Sequence, residues 1–322
     1  MPDSNALLPI VASRADYLLI QQQVALWLPA IRTICQRHGI VPERLERTSG
    51  GTNVIFTAGA DRIIKLYPPD WMAEREADRT VAQHIYNKLG VTTPQILAQG
   101  VLEGWPYLVM RRLIGVQLHH VWAGLDHTSQ LRIAAELGEI LARLHALPTT
   151  GFAHLVPKWT KLLADQPDRC VEHHRNKGVA EHWLEQIPDF LARAAPLDPP
   201  GVAPVILDGD FHDGHLLVVE EHGRWRLCGL FDFDDAMLGF YESDFAAPGL
   251  FMMAGRRTLL RMFLGAYGLA TLDEALSRRL LAYTLLHRYR DLNWILTDLV
   301  PERHCTTLEE LAVAIYALGL HS

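Results

Sequence analysis

The sequence has few cysteines and no pattern that would group them. Its four cysteines are far apart, and no two form a Cys-x-x-Cys pair; they are Cys35, Cys170, Cys228 and Cys305. This spacing argues against a disulfide framework and against a zinc-binding cage. It fits free thiols in a reducing compartment, so we expect a cytoplasmic protein.

The sequence also lacks long apolar runs and an excess of positive charge. No apolar run approaches the roughly 18 residues that a membrane-spanning helix needs. The N-terminus, which carries Asp3, shows no basic-then-apolar signal pattern. The net charge of −7 argues against nucleic acid as the main partner and is compatible with a cationic substrate. We therefore expect a small-molecule substrate, no membrane or nucleic-acid partner, and a monomer or weak dimer.

The chain has enough apolar residues for a sizeable core, with 49% hydrophobic content over 322 residues. The patterns predict an α+β, bilobal architecture: a small sheet-rich lobe over residues 1–110 and a larger, mostly helical lobe over residues 111–322. Pro29 is expected to kink or end a first helix. Strands are predicted at residues 45–48, 53–58, 61–67, 95–99 and 107–110, and helices at 15–38, 72–89, 128–147 and 250–322.

The most informative segment is rich in carboxylates and lies beside apolar runs. It reads Asp208-Gly209-Asp210-Phe211-His212-Asp213-Gly214-His215, and after a further apolar run and a turn it continues Leu230-Phe231-Asp232-Phe233-Asp234-Asp235. Apolar runs around a turn predict a buried hairpin, which would project Asp210, His215 and Asp232 toward one place. Carboxylates gathered in this way are costly unless they bind a cation or handle a proton. A solvated loop beside an ordinary hairpin is the alternative.

Two further features suggest a phosphate site. Ser49-Gly50-Gly51-Thr52-Asn53 lies between predicted strands, where glycine N–H groups can cradle phosphate oxygens, although a plain hairpin turn has the same composition. Lys65 lies in the next apolar strand and either reaches phosphates under that loop or faces solvent. Glu74 and Glu76, on the helix that follows, either pair with Lys65 or lie on a solvated helix face. A fixed base, metal ligands and a lysine are the parts that phosphoryl transfer requires.

Taken in order, these motifs resemble the protein-kinase-like fold and, more narrowly, the aminoglycoside phosphotransferase family. The family signature is His-Gly-Asp, four residues, Asn, and then an Ile-Asp-Trp-like strand end. Here the corresponding positions read Asp208-Gly209-Asp210, His215 and Phe231-Asp232-Phe233. Other segments are similar to hygromycin B phosphotransferases that act on the 7''-hydroxyl; they are Ile64-Lys65-Leu66, Trp105-Pro106-Tyr107-Leu108-Val109-Met110, Leu144-His145 and Leu281-Ala282-Tyr283-Thr284-Leu285-Leu286-His287.

The resemblance implies an enzyme that uses ATP or GTP with Mg²⁺ and moves the γ-phosphate to a hydroxyl of a hygromycin B-like aminoglycoside. It implies that Asp210 is the catalytic base and that Asp232 is the main magnesium ligand. It further implies that Lys65 contacts the α- and β-phosphates and pairs with Glu76. The remaining implied nucleotide-binding residues are Gly50 and Gly51 in the phosphate loop and Tyr107, Leu108, Val109 and Met110 in a hinge whose backbone holds adenine.

Two positions depart from the family pattern. Asp208 stands where the family has histidine, and it could support the catalytic loop through different hydrogen bonds. His215 stands where the family has a metal-binding asparagine, and imidazole is a softer ligand than magnesium prefers. His215 could still bind the metal and shift the preference toward Mn²⁺. Alternatively, it donates to a phosphate while Asp213 or water completes the metal shell, or the activity is weakened or lost.

Four more residues are candidates for contact with a cationic substrate; they are Asp234, Asp235, Asp291 and Trp294. Their alternatives are a cap on the turn that follows Asp232, an acidic helical surface and a core position. Within the same fold, the acceptor could instead be a choline-like, homoserine-like or sugar alcohol. Outside enzymes, the alternative is a nucleotide-binding pseudokinase scaffold, which the departure at His215 keeps open.

Overall fold

The computed structural model of the chain describes residues 6–48, 51–164, 168–287, 291–300 and 305–318. The chain forms two compact units. Unit 1 comprises Met1–Asn87, Thr92–Ile114 and Leu230–Asp235, and unit 2 comprises Lys88–Val91, Gly115–Gly229 and Ala236–Ser322. The short segment Leu230–Asp235 thus belongs to unit 1, although in the sequence it lies between two segments of unit 2.

Unit 1 is built on one antiparallel sheet of five strands. In chain order the strands are β1 (Leu45–Arg47), β2 (Val54–Ala58), β3 (Arg62–Leu66), β4 (Ile96–Leu102) and β5 (Trp105–Arg111). Their order across the sheet is β1-β2-β3-β5-β4, so β3 and β5 are interior strands. In the β3–β5 register Lys65 lies opposite Leu108, which places a lysine in the middle of a mostly apolar sheet.

Unit 1 also contains the helices α1 (Arg14–Ile20), α2 (Val24–Arg37) and α3 (Met72–Ile85). The prediction of a single helix over residues 15–38 is therefore wrong, because one helix ends at Ile20 and the next begins at Val24. Pro29 lies inside α2 within its first two turns and does not end it. Trp27, Ile31 and Ile34 share the buried face of α2, and Trp27 packs edge-on against Trp105 with ring centroids 5.2 Å apart.

Unit 2 is mostly helical. Its helices are α4 (His127–His145), α5 (Val156–Ala164), α6 (Asp168–Asn176), α7 (Glu181–Leu184), α8 (Ile187–Ala194), α9 (Ser243–Phe251), α10 (Arg257–Tyr267), α11 (Glu274–Leu286), α12 (Leu292–Trp294) and α13 (Leu308–Tyr316). Its strands are β6 (Val116–Gln117), β7 (Val205–Leu207), β8 (Leu216–Glu221), β9 (Arg224–Leu230) and β10 (Met237–Gly239). They form a sheet in the order β6-β8-β9 and a β10–β7 pair, so the apolar runs on either side of residue 222 form the expected hairpin.

The helix α4 is the long amphipathic helix expected near residues 128–147, and it positions one residue of the site. The Asp126 side chain caps its start by accepting from the Ser129 N–H at 2.9 Å. Leu137, Leu141 and Leu144 lie on its buried face. Gly138 lets α10 approach closely, because a Cβ at this position would collide with the Phe263 carbonyl oxygen. His145, the last residue of the same helix, is also buried.

Among the described residues, no helix is both long enough and apolar enough to cross a membrane.

Candidate active site

Unit 1 contains a buried ionic cluster centred on Lys65. The Lys65 ammonium group donates to Asp232 at 2.5 Å, to Asp78 at 2.6 Å and to Asp234 at 3.2 Å. Burial by itself disfavours the charge on Lys65, but the neighbouring carboxylates outweigh this effect and raise its pKa well above the usual value. Lys65 therefore remains a cation inside the protein.

Asp78, and not Glu76, is the helical partner of Lys65. Asp78 also accepts from the Tyr67 hydroxyl at 2.6 Å, whereas Glu76 forms ion pairs with Arg75 and Arg79 on the outer side of the helix. The expected pairing of Lys65 with Glu76 is thus corrected. The physical reason is helical phase: Asp78 belongs to the buried stripe of α3 together with Val81, Ala82 and Ile85, and Glu76 does not.

Asp234 closes the cluster on the side of the glycine-containing loop. Its carboxylate accepts from the Asn53 amide at 2.6 Å as well as from Lys65. Asp234 and Asp235 are both buried within unit 1. In the structure the Asp234 carboxylate therefore contacts the Asn53 amide and the lysine; the predicted contacts of Asp234 and Asp235 with a substrate stay predictions.

Asp232 is the most accessible acid of the cluster. Its side chain is 19% exposed, against 2% for Asp78 and 8% for Asp234. Its backbone has φ = 76°, in the left-handed region that non-glycine residues rarely adopt. Three carboxyl groups surround one ammonium group, so acidic oxygens are in excess. Carboxylate oxygens are hard ligands of the kind that Mg²⁺ prefers, so the donor chemistry of this cluster fits a divalent cation. The predicted role of Asp232 as the magnesium ligand stays a prediction.

The loop that precedes β2 is anchored at both ends. The Tyr17 hydroxyl donates to the Thr52 carbonyl oxygen at 2.6 Å, and the Thr48 N–H donates to the Ile55 carbonyl oxygen at 3.0 Å. Gly51 has φ = 73°, which only glycine adopts without strain. Gly50 lies outside the described residues. The predicted phosphate-binding role of this loop stays a prediction.

The residues of the expected hinge lie inside the sheet. Tyr107, Leu108, Val109 and Met110 are all buried in β5. They pair with β3 on one side and with β4 on the other, so both ladders use their backbone N–H and C=O groups. The two ladders thus already engage the backbone of this segment. Its predicted contact with adenine stays a prediction.

In unit 2, Asp210 lies in a loop whose backbone is fixed by buried side chains. Asp244 accepts from the Asp208 N–H at 2.7 Å and from the Gly209 N–H at 3.0 Å. Asp208 in turn accepts from the Asp210 N–H at 3.1 Å, which is the different hydrogen bond anticipated for this position. The loop can turn this tightly because Gly209 adopts φ = 82°.

Two histidines support the same loop. His145, at the end of α4, lies 3.1 Å from the Asp244 carboxylate and 3.0 Å from the Tyr267 hydroxyl. His287, which follows α11, lies 2.9 Å from the Gly209 carbonyl oxygen, to which its Nε2–H donates. Both histidines occur in segments that carry the family resemblance. Together with Asp244 they fix the backbone of Asp208 and Gly209, immediately before Asp210.

His212 and His215 lie beside the Asp210 carboxylate. His212 Nε2 is 3.8 Å and His215 Nδ1 is 3.9 Å from Asp210 Oδ2. His215 Nδ1 is also 3.1 Å from the Asp210 carbonyl oxygen, so in the neutral ring this nitrogen carries the hydrogen and Nε2 has the lone pair. A metal ligand at His215 would therefore be Nε2. Its predicted role in metal binding stays a prediction.

A small pocket lies next to this loop within unit 2. Its cavity volume is about 50 Å³, and its lining includes Phe251, Tyr283, His287, Asp291 and Trp294. Trp294 is 37% and Phe251 is 45% exposed, and their ring centroids are 5.9 Å apart. His287 links the pocket to the Asp210 loop, because it lines the pocket and binds Gly209.

Asp291 lies at the edge of this pocket and is held in place. It accepts from the Trp294 N–H at 3.0 Å and lies 3.3 Å from the Lys177 ammonium group. Burial tends to raise the pKa of Asp291, but these two contacts outweigh it and lower the pKa. The structure thus brings the predicted substrate residues Asp291 and Trp294 together.

The sequence motifs do not select Asp78, His287 and His212, which the structure places in or beside the candidate site. For Asp78 a signal was present, because a carboxylate at the spacing of Val81, Ala82 and Ile85 falls inside an apolar helical stripe. The contacts of His287 with Gly209 and of His212 with Asp210 form only when the chain folds, so the spacing of residues in the sequence does not predict them.

Comparison with known proteins shows the family and the fold. A model of the phosphotransferase enzyme family, APH, matches residues 44–281 of the chain. The GDP complex of wild-type aminoglycoside 2'-phosphotransferase-IIIa is 18% identical, with a TM-score of 0.67 over 89% of this chain and 96% of that chain. An APH(2'') enzyme in complex with GDP and kanamycin is 20% identical, with a TM-score of 0.63 over 89% of this chain and 97% of that chain.

A thermostable mutant of aminoglycoside phosphotransferase APH(4)-Ia, in ternary complex with AMP-PNP and hygromycin B, is also similar. It is 18% identical, with a TM-score of 0.52 over 79% of this chain and 87% of that chain. At these identities the similarity shows the fold. The predicted α+β fold of the aminoglycoside phosphotransferases is confirmed.

Proposed function

Since the chain belongs to the phosphotransferase enzyme family, we propose that it transfers the γ-phosphoryl group of ATP or GTP to a hydroxyl of an aminoglycoside-type antibiotic. The observation that carries the proposal is the loop around Asp210. Asp244, Asp208 and His287 hold its backbone, and the Asp210 side chain remains partly exposed. A carboxylate on such a rigid support is suited to accept a proton from an alcohol.

In this proposal Asp210 is the catalytic base. It accepts the proton of the acceptor hydroxyl as that oxygen attacks the γ-phosphorus. The O–H bond breaks, the new P–O bond forms, and the nucleoside diphosphate leaves with the electrons of the broken P–O bond. Since phosphoryl transfer depends mostly on positioning, the fixed backbone around Gly209 is as important as the carboxylate itself.

Lys65 and Asp232 are the proposed phosphate and metal groups of unit 1. Without nucleotide the three donor hydrogens of Lys65 go to Asp78, Asp232 and Asp234. We infer that Lys65 would contact phosphate oxygens, and that Asp232, the least buried of the three acids, would hold a divalent cation. Such a cation would neutralise charge on the phosphates. Asp78 would keep Lys65 extended throughout.

The acceptor would bind at the pocket lined by Trp294 and Asp291. A volume of about 50 Å³ holds part of a ligand only, since sites for whole small molecules are roughly 300–1,000 Å³. An aminoglycoside would thus place one ring or amine there and extend beyond it. Hygromycin B is the first acceptor to test, because of the sequence resemblance and because a similar structure contains it.

A smaller cationic alcohol, such as a choline-like molecule, is the second candidate. The observation that favours it is the aromatic pair Phe251 and Trp294 beside the Asp291 carboxylate, since aromatic faces next to an acid recognise quaternary ammonium groups. The limited volume of the pocket also fits a compact ligand better than a tri- or tetracyclic one.

An ADP- and GDP-release assay over a panel of acceptors tests the proposal. The panel contains hygromycin B, kanamycin, streptomycin and gentamicin, with choline, homoserine and simple sugars as the second group. Each acceptor is combined with ATP or GTP and with Mg²⁺ or Mn²⁺. Turnover with an antibiotic, lost in Asp210→Asn while nucleotide binding persists, supports the proposal. Nucleotide binding without turnover of any acceptor would instead favour a pseudokinase. Mass spectrometry and NMR of the product identify the phosphorylated hydroxyl.

A further inference from the structure

His212 is the residue of the Asp210 loop to which neither the sequence nor the proposed function gives a role. Its imidazole is held in one orientation. His212 Nδ1 accepts from the Gly214 N–H at 3.0 Å, and the Gly214 carbonyl oxygen accepts from the Gln117 side chain at 2.8 Å. A side chain at Gly214 would collide with the imidazole ring, so glycine at this position is part of the support.

The bond from Gly214 also fixes the tautomer of His212. A nitrogen that accepts a hydrogen bond carries the lone pair, so the hydrogen of the neutral ring is on Nε2. In the charged ring both nitrogens carry hydrogen, and Nδ1 then faces the Asp213 carboxylate, which lies 3.5 Å away. In either form Nε2–H remains a donor.

This donor lies beside the proposed base. The distance from His212 Nε2 to Asp210 Oδ2 is 3.8 Å, which is too long for a hydrogen bond but within reach of a small side-chain rotation. Catalytic hydrogen bonds are often long without substrate and shorten in the substrate complex. On its other sides the imidazole packs against His215, with centroids 4.2 Å apart, and against Phe251, at 6.0 Å.

The same three side chains could be considered as a metal site. Asp210, His212 and His215 each offer a ligand atom, and these atoms lie within 4.8 Å of one another. Metal coordination requires an unprotonated ring nitrogen. At His212 the Gly214 N–H already uses that nitrogen, so coordination through Nε2 would break the bond that orients the ring. The local bonding therefore favours His212 as an N–H donor.

We propose that His212 is a positioning residue for the catalytic base: its Nε2–H holds Oδ2 of Asp210, so that Oδ1 faces the acceptor hydroxyl. This inference rests on the proposed function, since it assumes that Asp210 acts as a base. It predicts that loss of the donor lowers kcat and leaves substrate binding unchanged. A carboxylate free to rotate is misplaced by about 1 Å, which can reduce the rate on the order of 100-fold.

Two amide variants, each reproducing one polar position of the imidazole, separate the donor from the support. In His212→Asn the amide oxygen lies near the position of Nδ1, so the bond from Gly214 is retained and the Nε2–H donor is lost. In His212→Gln the amide N–H reaches the position of Nε2, so the donor is retained and the bond from Gly214 is lost. His127→Asn, at an exposed histidine in the first turn of α4, is the control for a general histidine effect.

With the best acceptor, we expect His212→Asn to lower kcat on the order of 100-fold with both KM values within about twofold of wild type. His212→Gln should recover at least tenfold of this loss, although its loop is less stable. The positioning role alone is overturned if His212→Asn turns over at the wild-type rate, or if His212→Gln is as slow as His212→Asn. Absence of turnover in the wild type itself would remove the proposed function and, with it, the base that His212 positions.

Discussion

Replacing Asp78 by asparagine gives a direct test of the ionic cluster in unit 1. The substitution keeps the size of the side chain and removes its charge. Asp78 Oδ2 accepts from Lys65 and from Tyr67, both at 2.6 Å, and Oδ1 accepts from the Phe233 N–H at 3.3 Å. An amide has one oxygen, so in either orientation its NH₂ group faces donors and at least one bond is lost.

The expected loss of stability follows from these contacts. A hydrogen bond to a charged group contributes about 1.5–3 kcal/mol and a neutral one about 1 kcal/mol. Stripping a buried charge of its partner would cost about 3–5 kcal/mol, but Lys65 keeps Asp232 and Asp234. We therefore expect the free energy of unfolding to fall by about 3 kcal/mol, a large part of the roughly 5–15 kcal/mol of a typical domain.

Urea unfolding followed by circular dichroism measures this change. With a urea slope of about 3 kcal/mol per molar, the midpoint should fall by about 1 M. The matched control is Glu76→Gln, two residues away on the same helix, which removes a charge from a partly exposed ion pair with Arg79. That control should lie within about 0.5 kcal/mol of wild type. Equal effects of the two variants, or a larger effect of Glu76→Gln, would refute Asp78 as the partner of Lys65.

Three further outcomes are expected. The Asp244 carboxylate accepts hydrogen bonds from two backbone N–H groups, and Asp244→Asn would place an amide NH₂ against one of them. This variant should destabilise unit 2 by about 2 kcal/mol or more and abolish ADP release. An unchanged kcat would contradict the anchoring role of Asp244. Gly138→Ala should destabilise by about 2 kcal/mol in urea unfolding because its Cβ meets a backbone oxygen, whereas Gly265→Ala, with open space around it, should be neutral or stabilising by up to about 1 kcal/mol. Trp294→Ala should raise the KM for the acceptor about fivefold without changing the affinity for nucleotide. Asp291→Asn should raise the KM for cationic acceptors but not for a neutral sugar. Equal increases in KM for both acceptor classes would argue against Asp291 as an amine contact.

The family motifs of the sequence were sufficient to predict the fold and to select Lys65, Asp210 and Asp232 as candidates. They do not show which strands pair with each other or which residues share the buried face of a helix. The residues Tyr107–Met110 have the composition of a hinge, but composition cannot show that β4 returns to pair with the far side of β5. Glu76 was preferred from its position in a motif, although the buried stripe of α3 selects Asp78.

The proposed role of His212 is still less accessible from the sequence. It depends on which ring nitrogen accepts a hydrogen bond, and that in turn depends on Gly214 and on Gln117 from a distant strand. Pattern reasoning assigns residue types to a site. Tautomers and rotamers are set by contacts that form only in the folded chain.

The support around Asp210 bears on the departure of Asp208 from the family pattern. The N–H groups of residues 208, 209 and 210 are all bound by the carboxylates of Asp208 and Asp244, and His287 donates to the Gly209 carbonyl oxygen. This segment is therefore held by side chains on both of its polar edges, and none of these bonds needs a histidine at position 208. Asp208 is fully buried and supplies one of the bonds itself. An aspartate at position 208 thus leaves Asp210, the proposed base, on a rigid support, which favours a working phosphotransferase over a scaffold that only binds nucleotide.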